Sequence, residues 1–150
     1  AIVPSTIGKE LALYVVYYSP MQMAADLPKH YSKHMDAFAF IKNVPVDWSE
    51  RKILNSDFRE YVTMARKDKS SENWYVGGIT NENERELKID FSFLESGKEY
   101  TMKMYLDTQN THWKDNPMEY QITERVVSSN DNIDIYLAPG GGFALEIIAK

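Results

Sequence analysis

Apolar residues are spaced differently in the two parts of this chain. Residues 10–25 are apolar on nearly every side of the helix that their spacing predicts, so this segment must be covered by other protein. Ser5 or Thr6 is suited to cap the start of that helix. From Trp48 onward apolar and polar residues alternate, which is typical of strands with one buried face. The pattern predicts the last helices of one domain, followed by a complete β domain.

Further helix signals precede the alternating part. Ser19 and Asp26 suit N-cap positions, and another helix is expected around Tyr31 and Phe38. Pro45 ends helical structure, because the residue before a proline avoids the α region. We therefore place a boundary at 44–48.

The alternating part contains seven or eight short predicted strands, with a turn about every ten residues. This spacing predicts a mainly β fold, an antiparallel β-sandwich. Period-two alternation assigns one face of each strand to the core. The predicted core residues are Leu87, Ile89, Phe91, Met102, Met104, Leu106, Ile133, Ile135, Leu137, Phe143, Leu145 and Ile147.

Composition and charge argue against several classes of partner. The 150 residues carry a net charge of −5, which disfavours nucleic acid and anionic membrane. There is no cysteine, so disulfides and thiolate metal sites are excluded. The apolar run Leu11–Tyr18 is eight residues long, too short for a membrane span. We expect neither a nucleic-acid partner nor a membrane span.

Three motifs could indicate a ligand, and each has a plainer interpretation. His30 and His34 have the four-residue spacing of zinc-binding pairs on a helix, but the glutamate after the first histidine and a third ligand are missing. Residues 130–132 (Asn-Asp-Asn) lack the glycine and distal glutamate of a calcium loop and fit a hairpin turn better. The glycines at 140–142 precede a predicted strand rather than the helix of a phosphate loop. We assign no metal ligand and expect no cofactor in this chain.

The longest predicted loop, residues 107–120, carries the remaining candidate chemistry. Paired carboxylates are used in glycoside hydrolysis, and a tryptophan in a polar loop can stack on a sugar ring. A charged loop in solvent is the simpler interpretation, so we assign no catalytic residue and one candidate carbohydrate contact, Trp113. The residues concerned are Asp107, His112, Trp113, Asp115 and Glu119.

Several segments, taken together and in order, resemble the C-terminal end of glycoside hydrolase family 97. The resemblance covers essentially all of the chain, and no single segment would suffice. The segments are residues 11–16 (LALYVV), 19–26 (SPMQMAAD), 40–48 (FIKNVPVDW), 61–66 (YVTMAR), 74–82 (WYVGGITNE) and 138–143 (APGGGF).

The resemblance implies a parent enzyme with an N-terminal β-supersandwich, a central (β/α)₈ barrel and a C-terminal β-sandwich. Residues 1–47 would then be the last helical part of the catalytic barrel, and residues 48–150 the C-terminal β-sandwich. One face of the helices is expected to pack on barrel strands that this chain lacks. Family members hydrolyse α-glucosidic or α-galactosidic bonds with the help of calcium and are exported to the periplasm. Their catalytic and calcium-binding residues lie upstream, so none is transferred to this chain.

These inferences predict an accessory domain of an α-glycosidase that supports the barrel or contacts another subunit and is inactive alone. Its expected partners are the remainder of the parent enzyme, oligosaccharide through that parent, and further copies of itself. One alternative is a carbohydrate-binding module that uses Trp113 or Trp74. Another is a free-standing enzyme with a site in the 107–120 loop.

Overall fold

The computed structural model describes residues 5–17 and 34–150. The predicted caps at Ser19 and Asp26, together with His30 and Tyr31, lie outside the described residues. Within them, two helices precede eight strands. The elements are α1 (Ile7–Val16), α2 (Met35–Asn43), β1 (Trp48–Asp57), β2 (Tyr61–Asp68), β3 (Trp74–Thr80), β4 (Arg85–Asp90), β5 (Glu99–Leu106), β6 (Gln121–Ser128), β7 (Asn132–Leu137) and β8 (Gly142–Ala149).

The strands form two antiparallel sheets, which confirms the predicted mainly β, antiparallel fold. The larger sheet has the order β1-β2-β3-β8-β5-β6, and β4 pairs with β7 in the smaller one. All described strand pairs are antiparallel. The strand predicted around Leu87 is shorter than its alternation suggests. It ends at Asp90, and Phe91 continues into a turn in which its carbonyl accepts the N–H of Leu94.

The space between the two sheets holds the main hydrophobic core. All twelve predicted core residues either belong to it or, in the case of Leu106 and Ile133, pack against it half-buried. Trp74 and Tyr100 join them, with 3% and 1% of their surface exposed. The alternation along β4, β5, β7 and β8 therefore assigned the correct face of each strand to the core.

The opposite face of the large sheet is covered by the helices. Ile7, Leu11 and Val15 on α1 are buried in a second apolar cluster that also contains Tyr75 and Tyr105 from the sheet. The expectation that the apolar helix face needs strands from outside this chain is therefore wrong for Leu11 and Val15. The large sheet lies between the helices and the small sheet.

Gly77 on β3 allows α1 to approach the sheet closely. A Cβ atom at this position would lie 2.6 Å from the carbonyl oxygen of Ala12 and 3.0 Å from Cβ of Val15. Only a residue without a side chain leaves room for this contact. At the end of α1, the Arg66 side chain donates from Nε to the carbonyl of Val15 at 2.6 Å. Because the last carbonyls of a helix lack partners within the helix, this bond also satisfies a terminal acceptor.

No helix within residues 5–17 and 34–150 is long and apolar enough to cross a membrane.

Candidate functional site

Asp107, at the end of β5, is a buried carboxylate on which three parts of the fold converge. Its Oδ1 accepts a hydrogen bond from Oγ1 of Thr6 at 2.8 Å. Its Oδ2 accepts the backbone N–H groups of Ala138 at 3.0 Å and Gly142 at 2.9 Å. Only 2% of the residue is exposed. The interpretation of Asp107 as part of a charged loop in solvent is therefore wrong, because the side chain turns inward beneath α1.

The surroundings of Asp107 shift the pKa of its carboxyl group in opposite directions. Burial raises the pKa of its carboxyl group to about 6, while the three hydrogen bonds and the charge of Lys9 partly offset that rise. Burial also lowers the pKa of Lys9, against the attraction of Asp107 and Glu82. Lys9 donates from Nζ to the carbonyl of Thr80 at 3.0 Å. The site joins α1 to the ends of β3, β5 and β8.

Gly141 lies against the same carboxylate. A Cβ atom there would be 2.0 Å from Oδ2 of Asp107, so a side chain cannot be accommodated without displacing the carboxylate. Gly140, with φ of 66°, adopts the left-handed conformation that glycine tolerates best. Gly140 and Gly141 therefore belong to a tight turn beside the buried acid, closed by a bond from the Gly141 N–H to the carbonyl of Ala138 at 2.8 Å. Gly142 begins β8, consistent with the prediction that the glycines lead into the last strand.

The other two carboxylates of the 107–120 loop are placed differently. Glu119 accepts hydrogen bonds from the Thr108 hydroxyl and from Nδ2 of Asn116, the latter at 3.2 Å. The bond from Thr108 is the main cause of a lowered pKa for Glu119, followed by that from Asn116. Asp115 is exposed on the loop surface. Glu119 thus holds the loop together, and Asp107 faces the interior.

Trp113 is half-buried at the surface of this loop. Its backbone N–H donates to the carbonyl of Pro139 at 3.1 Å, which ties the loop to the turn before β8. The imidazole of His112 is stacked near the indole with a centroid separation of 5.9 Å. The indole borders a groove of about 240 Å³ whose other lining residues are Lys9, Asn81, Glu82 and Gly140. Trp113 therefore remains accessible to a ligand in that groove.

Trp74, the other candidate carbohydrate contact, is not accessible. Its side chain belongs to the main core and lies edge-on to Phe93, with ring centroids 4.9 Å apart. The alternative that uses Trp74 as a sugar platform is therefore wrong, because β3 directs this residue between the two sheets.

Of the motifs with plainer interpretations, the Asn-Asp-Asn segment forms a turn, and one of the two histidines contacts a distant tyrosine. His34 lies at the start of α2, where its Nδ1 is 3.4 Å from the Tyr120 hydroxyl, and His30 is outside the described residues. Asp131 accepts the N–H of Ser128 at 2.8 Å in the turn between β6 and β7. No group of three or more His, Asp or Glu residues that could hold a metal ion occurs in the described part of the chain.

A second and larger groove was not predicted. It measures about 610 Å³ and lies beside the hairpin that connects β1 and β2, sharing Lys9 and Asn81 with the Trp113 groove. Its most prominent residue is Phe58, which is 82% exposed at the hairpin tip. The only sequence signal was a single aromatic residue between Asp57 and Arg59 in a polar stretch.

Comparison with protein families identifies the β-rich part of the chain. A family model described as "Glycosyl-hydrolase 97 C-terminal, oligomerisation" matches residues 47–148. The chain belongs to this family. The resemblance found in the sequence is thereby confirmed.

Related proteins agree with this assignment. The chain is 37% identical over 139 residues to a retaining alpha-galactosidase of Bacteroides thetaiotaomicron, a match that covers 93% of this chain and 20% of the relative. It is 26% identical over 140 residues to a probable retaining alpha-galactosidase of Streptomyces bingchenggensis, covering 90% and 19%. A glycoside hydrolase family 97 enzyme of Pseudoalteromonas sp. strain K8, solved in complex with panose, has a TM-score of 0.90 at 35% identity, covering 98% and 23%. The chain thus spans about a fifth of the length of these relatives.

Proposed function

We propose that this chain is a non-catalytic accessory part of an α-glycosidase, an α-glucosidase or an α-galactosidase, and that it supports the catalytic barrel and contacts another subunit. The observation that carries the proposal is the match of residues 47–148 to a C-terminal family described by oligomerisation. The carboxylates support it, since Asp107 and Glu119 are engaged in hydrogen bonds that stabilise the fold. Catalysis would then be performed by the remaining four-fifths of the parent.

The same proposal covers the properties that the resemblance implies for the parent. Calcium would assist at the active site of the parent, and the ligands would come from residues outside this chain. The parent would act in the periplasm. The relatives do not point to one sugar, because one is named a retaining alpha-galactosidase and another was solved with panose.

Conservative variants in the intact parent test the accessory role. Asp107→Asn, Asp115→Asn and Glu119→Gln should each leave kcat on an aryl α-glycoside within about twofold, since a catalytic acid or base contributes roughly 10²–10⁴-fold. The 150-residue chain alone should show no turnover. A loss of about a hundredfold or more in one variant that remains folded would contradict the proposal.

Sedimentation of the 150-residue chain tests the subunit contact. A concentration-dependent shift from monomer to dimer or higher species is expected. A chain that stays monomeric at high concentration would contradict self-association while leaving the non-catalytic role intact.

Carbohydrate binding through Trp113 is the second candidate function. The half-buried indole borders a groove that also presents the polar side chains of Lys9, Asn81 and Glu82, the combination expected of a sugar subsite. Calorimetric titration with malto- and galacto-oligosaccharides should then give binding that Trp113→Ala abolishes. Asp115→Ala is the control on the same loop and should retain binding, because Asp115 is exposed and does not line the groove. Absence of binding to the unmodified chain would contradict this candidate.

A further inference from the structure

Among the residues that the structure describes, helix α1 does not reach one end of the large sheet. Val62 on β2 and Ile79 on β3 are directly paired there, and both are half-buried. Ile79 lies two residues from Gly77, so it faces the same side of the sheet as the surface that α1 covers. Lys9, near the start of α1, borders this area. The groove of about 610 Å³ therefore has an apolar floor where the helix cover ends.

An exposed aromatic ring stands at the edge of this floor. Phe58 lines the groove and is 82% exposed. The tip is closed by a bond from the Glu60 N–H to the carbonyl of Asp57 at 3.0 Å. Arg59 adopts a left-handed φ of 65°, which is costly for a residue other than glycine, and its guanidinium lies 5.0 Å from the centre of the Phe58 ring. The hairpin thus displays the ring rather than burying it.

One surface of the chain carries both a projecting ring and an apolar floor. Two copies of the chain can therefore pack so that the ring of each copy lies on the floor of the other. A two-fold axis would place Phe58 of each copy over Val62 and Ile79 of the other, and the assembly would close as a dimer. The rim carries both signs of charge, with basic Lys9 and Arg59 beside two acidic residues of the hairpin. Pairing by a two-fold axis can set the acids of one copy opposite the bases of the other.

We propose that a second copy of this chain docks on this surface, with Phe58 of each copy packed on the Val62–Ile79 floor of its partner. The proposal rests on the self-association in the proposed function and names the surface that performs it. A second copy is favoured over a sugar ligand because the matched family is described by oligomerisation, and because the floor is apolar. An exposed aromatic ring that enters a partner's pocket is the usual anchor of an interface.

Sedimentation velocity of the 150-residue chain and its variants tests the surface. Phe58→Glu should raise the dimer dissociation constant by at least about 30-fold, as loss of an anchor residue does. Val126→Glu is the matched control, since Val126 is 46% exposed on β6 at the other edge of the sheet, and it should leave the dissociation constant unchanged. Circular dichroism verifies that each variant is folded.

A charge-complementation experiment tests the reciprocal contact. Phe58→Glu and Val62→Lys should each be monomeric alone, and an equimolar mixture should form a dimer, because one contact becomes an ion pair and the other keeps its original residues. If the unmodified chain and Phe58→Glu dimerise equally well, the assignment of this surface is contradicted, but the self-association in the proposed function is not. If the unmodified chain is monomeric, the surface and the self-association both fail. Failure of the mixture to dimerise would contradict the reciprocal arrangement.

Discussion

Oγ1 of Thr6 lies 2.8 Å from Oδ1 of Asp107, although the two residues are 101 positions apart in the chain. The same hydroxyl oxygen accepts the N–H of Lys9 at 3.1 Å and so caps α1. One side chain therefore begins the helix and supplies a hydrogen bond to a buried acid. This contact couples the helix to the sheet more specifically than apolar packing alone.

Replacing Thr6 should destabilise the chain through both contacts. Thr6→Val keeps the shape but loses the cap, which costs about 1 kcal/mol, and leaves one oxygen of a buried carboxylate without its donor, which costs about 1–3 kcal/mol. Urea denaturation at pH 7 measures the loss. Thr6→Ser retains the hydroxyl and should stay within about 1 kcal/mol of the original, so equal losses in both variants would contradict the assigned role.

Asp107 should give stability a distinctive pH dependence. Its pKa is about 6 in the folded chain, against the ordinary value of 3.8 taken for the unfolded one, so the folded state binds the proton more tightly. The contribution of this group is therefore fully present below about pH 4 and is lost as the pH rises through about 6, a change of about 3 kcal/mol.

Asp107→Asn isolates this effect from other titrating groups. The stability difference between the original chain and the variant should shift in favour of the variant as the pH rises from about 4 to about 7. Thermal unfolding at matched ionic strength measures that difference. A difference that is flat with pH, or that moves in the opposite direction, would contradict the raised pKa.

Gly77 should tolerate no side chain. Gly77→Ala brings Cβ to within 2.6 Å of the carbonyl oxygen of Ala12, so α1 must move away from β3. Overpacking of this kind costs typically about 1–3 kcal/mol, measured by denaturant midpoint. Gly78→Ala is unsuitable as a control because its Cβ would meet the Phe143 ring. Arg51→Ala on the exposed strand β1 is the control and should leave the denaturant midpoint nearly unchanged. An equal loss of stability in both variants would contradict a specific role for the close approach of α1 to Gly77.

The core between the sheets could be predicted from sequence because apolar and polar residues alternate along its strands. For β1 the alternation from Trp48 onward indicates strand structure but assigns no core face, because β1 is an edge strand in which the neighbouring residues Lys52 and Ile53 are both exposed. The packing of α1 on the large sheet of the same chain was also not predicted. β3 and β8 carry apolar residues on both faces, as Tyr75 beside Val76 and Ala144 beside Leu145 show, and such runs indicate a strand covered on two sides.

The site was only partly predictable for a related reason. Spacing along the chain places Asp107 in the same loop as Asp115 and Glu119, but only the fold shows that the Asp107 side chain turns under α1 toward Thr6. The sequence singled out Trp113 as an accessible aromatic residue without indicating the groove beside it. That groove forms where separate segments of the chain meet, and a local sequence pattern does not predict such a meeting.

Two phenylalanines of the predicted core test the assignment of strand faces that was made from the alternation. Phe143 and Phe91 are fully buried in the main cluster, and the Phe143 ring lies over Gly78 on the neighbouring strand. Truncation of either ring to alanine should cost about 3–5 kcal/mol, since it leaves a cavity that a packed core cannot fill. Denaturant unfolding measures the loss, with Val126→Ala on the exposed side of β6 as the control and a change below about 0.5 kcal/mol expected there. Unchanged midpoints for both phenylalanine variants would show that the two rings do not occupy the space between the sheets.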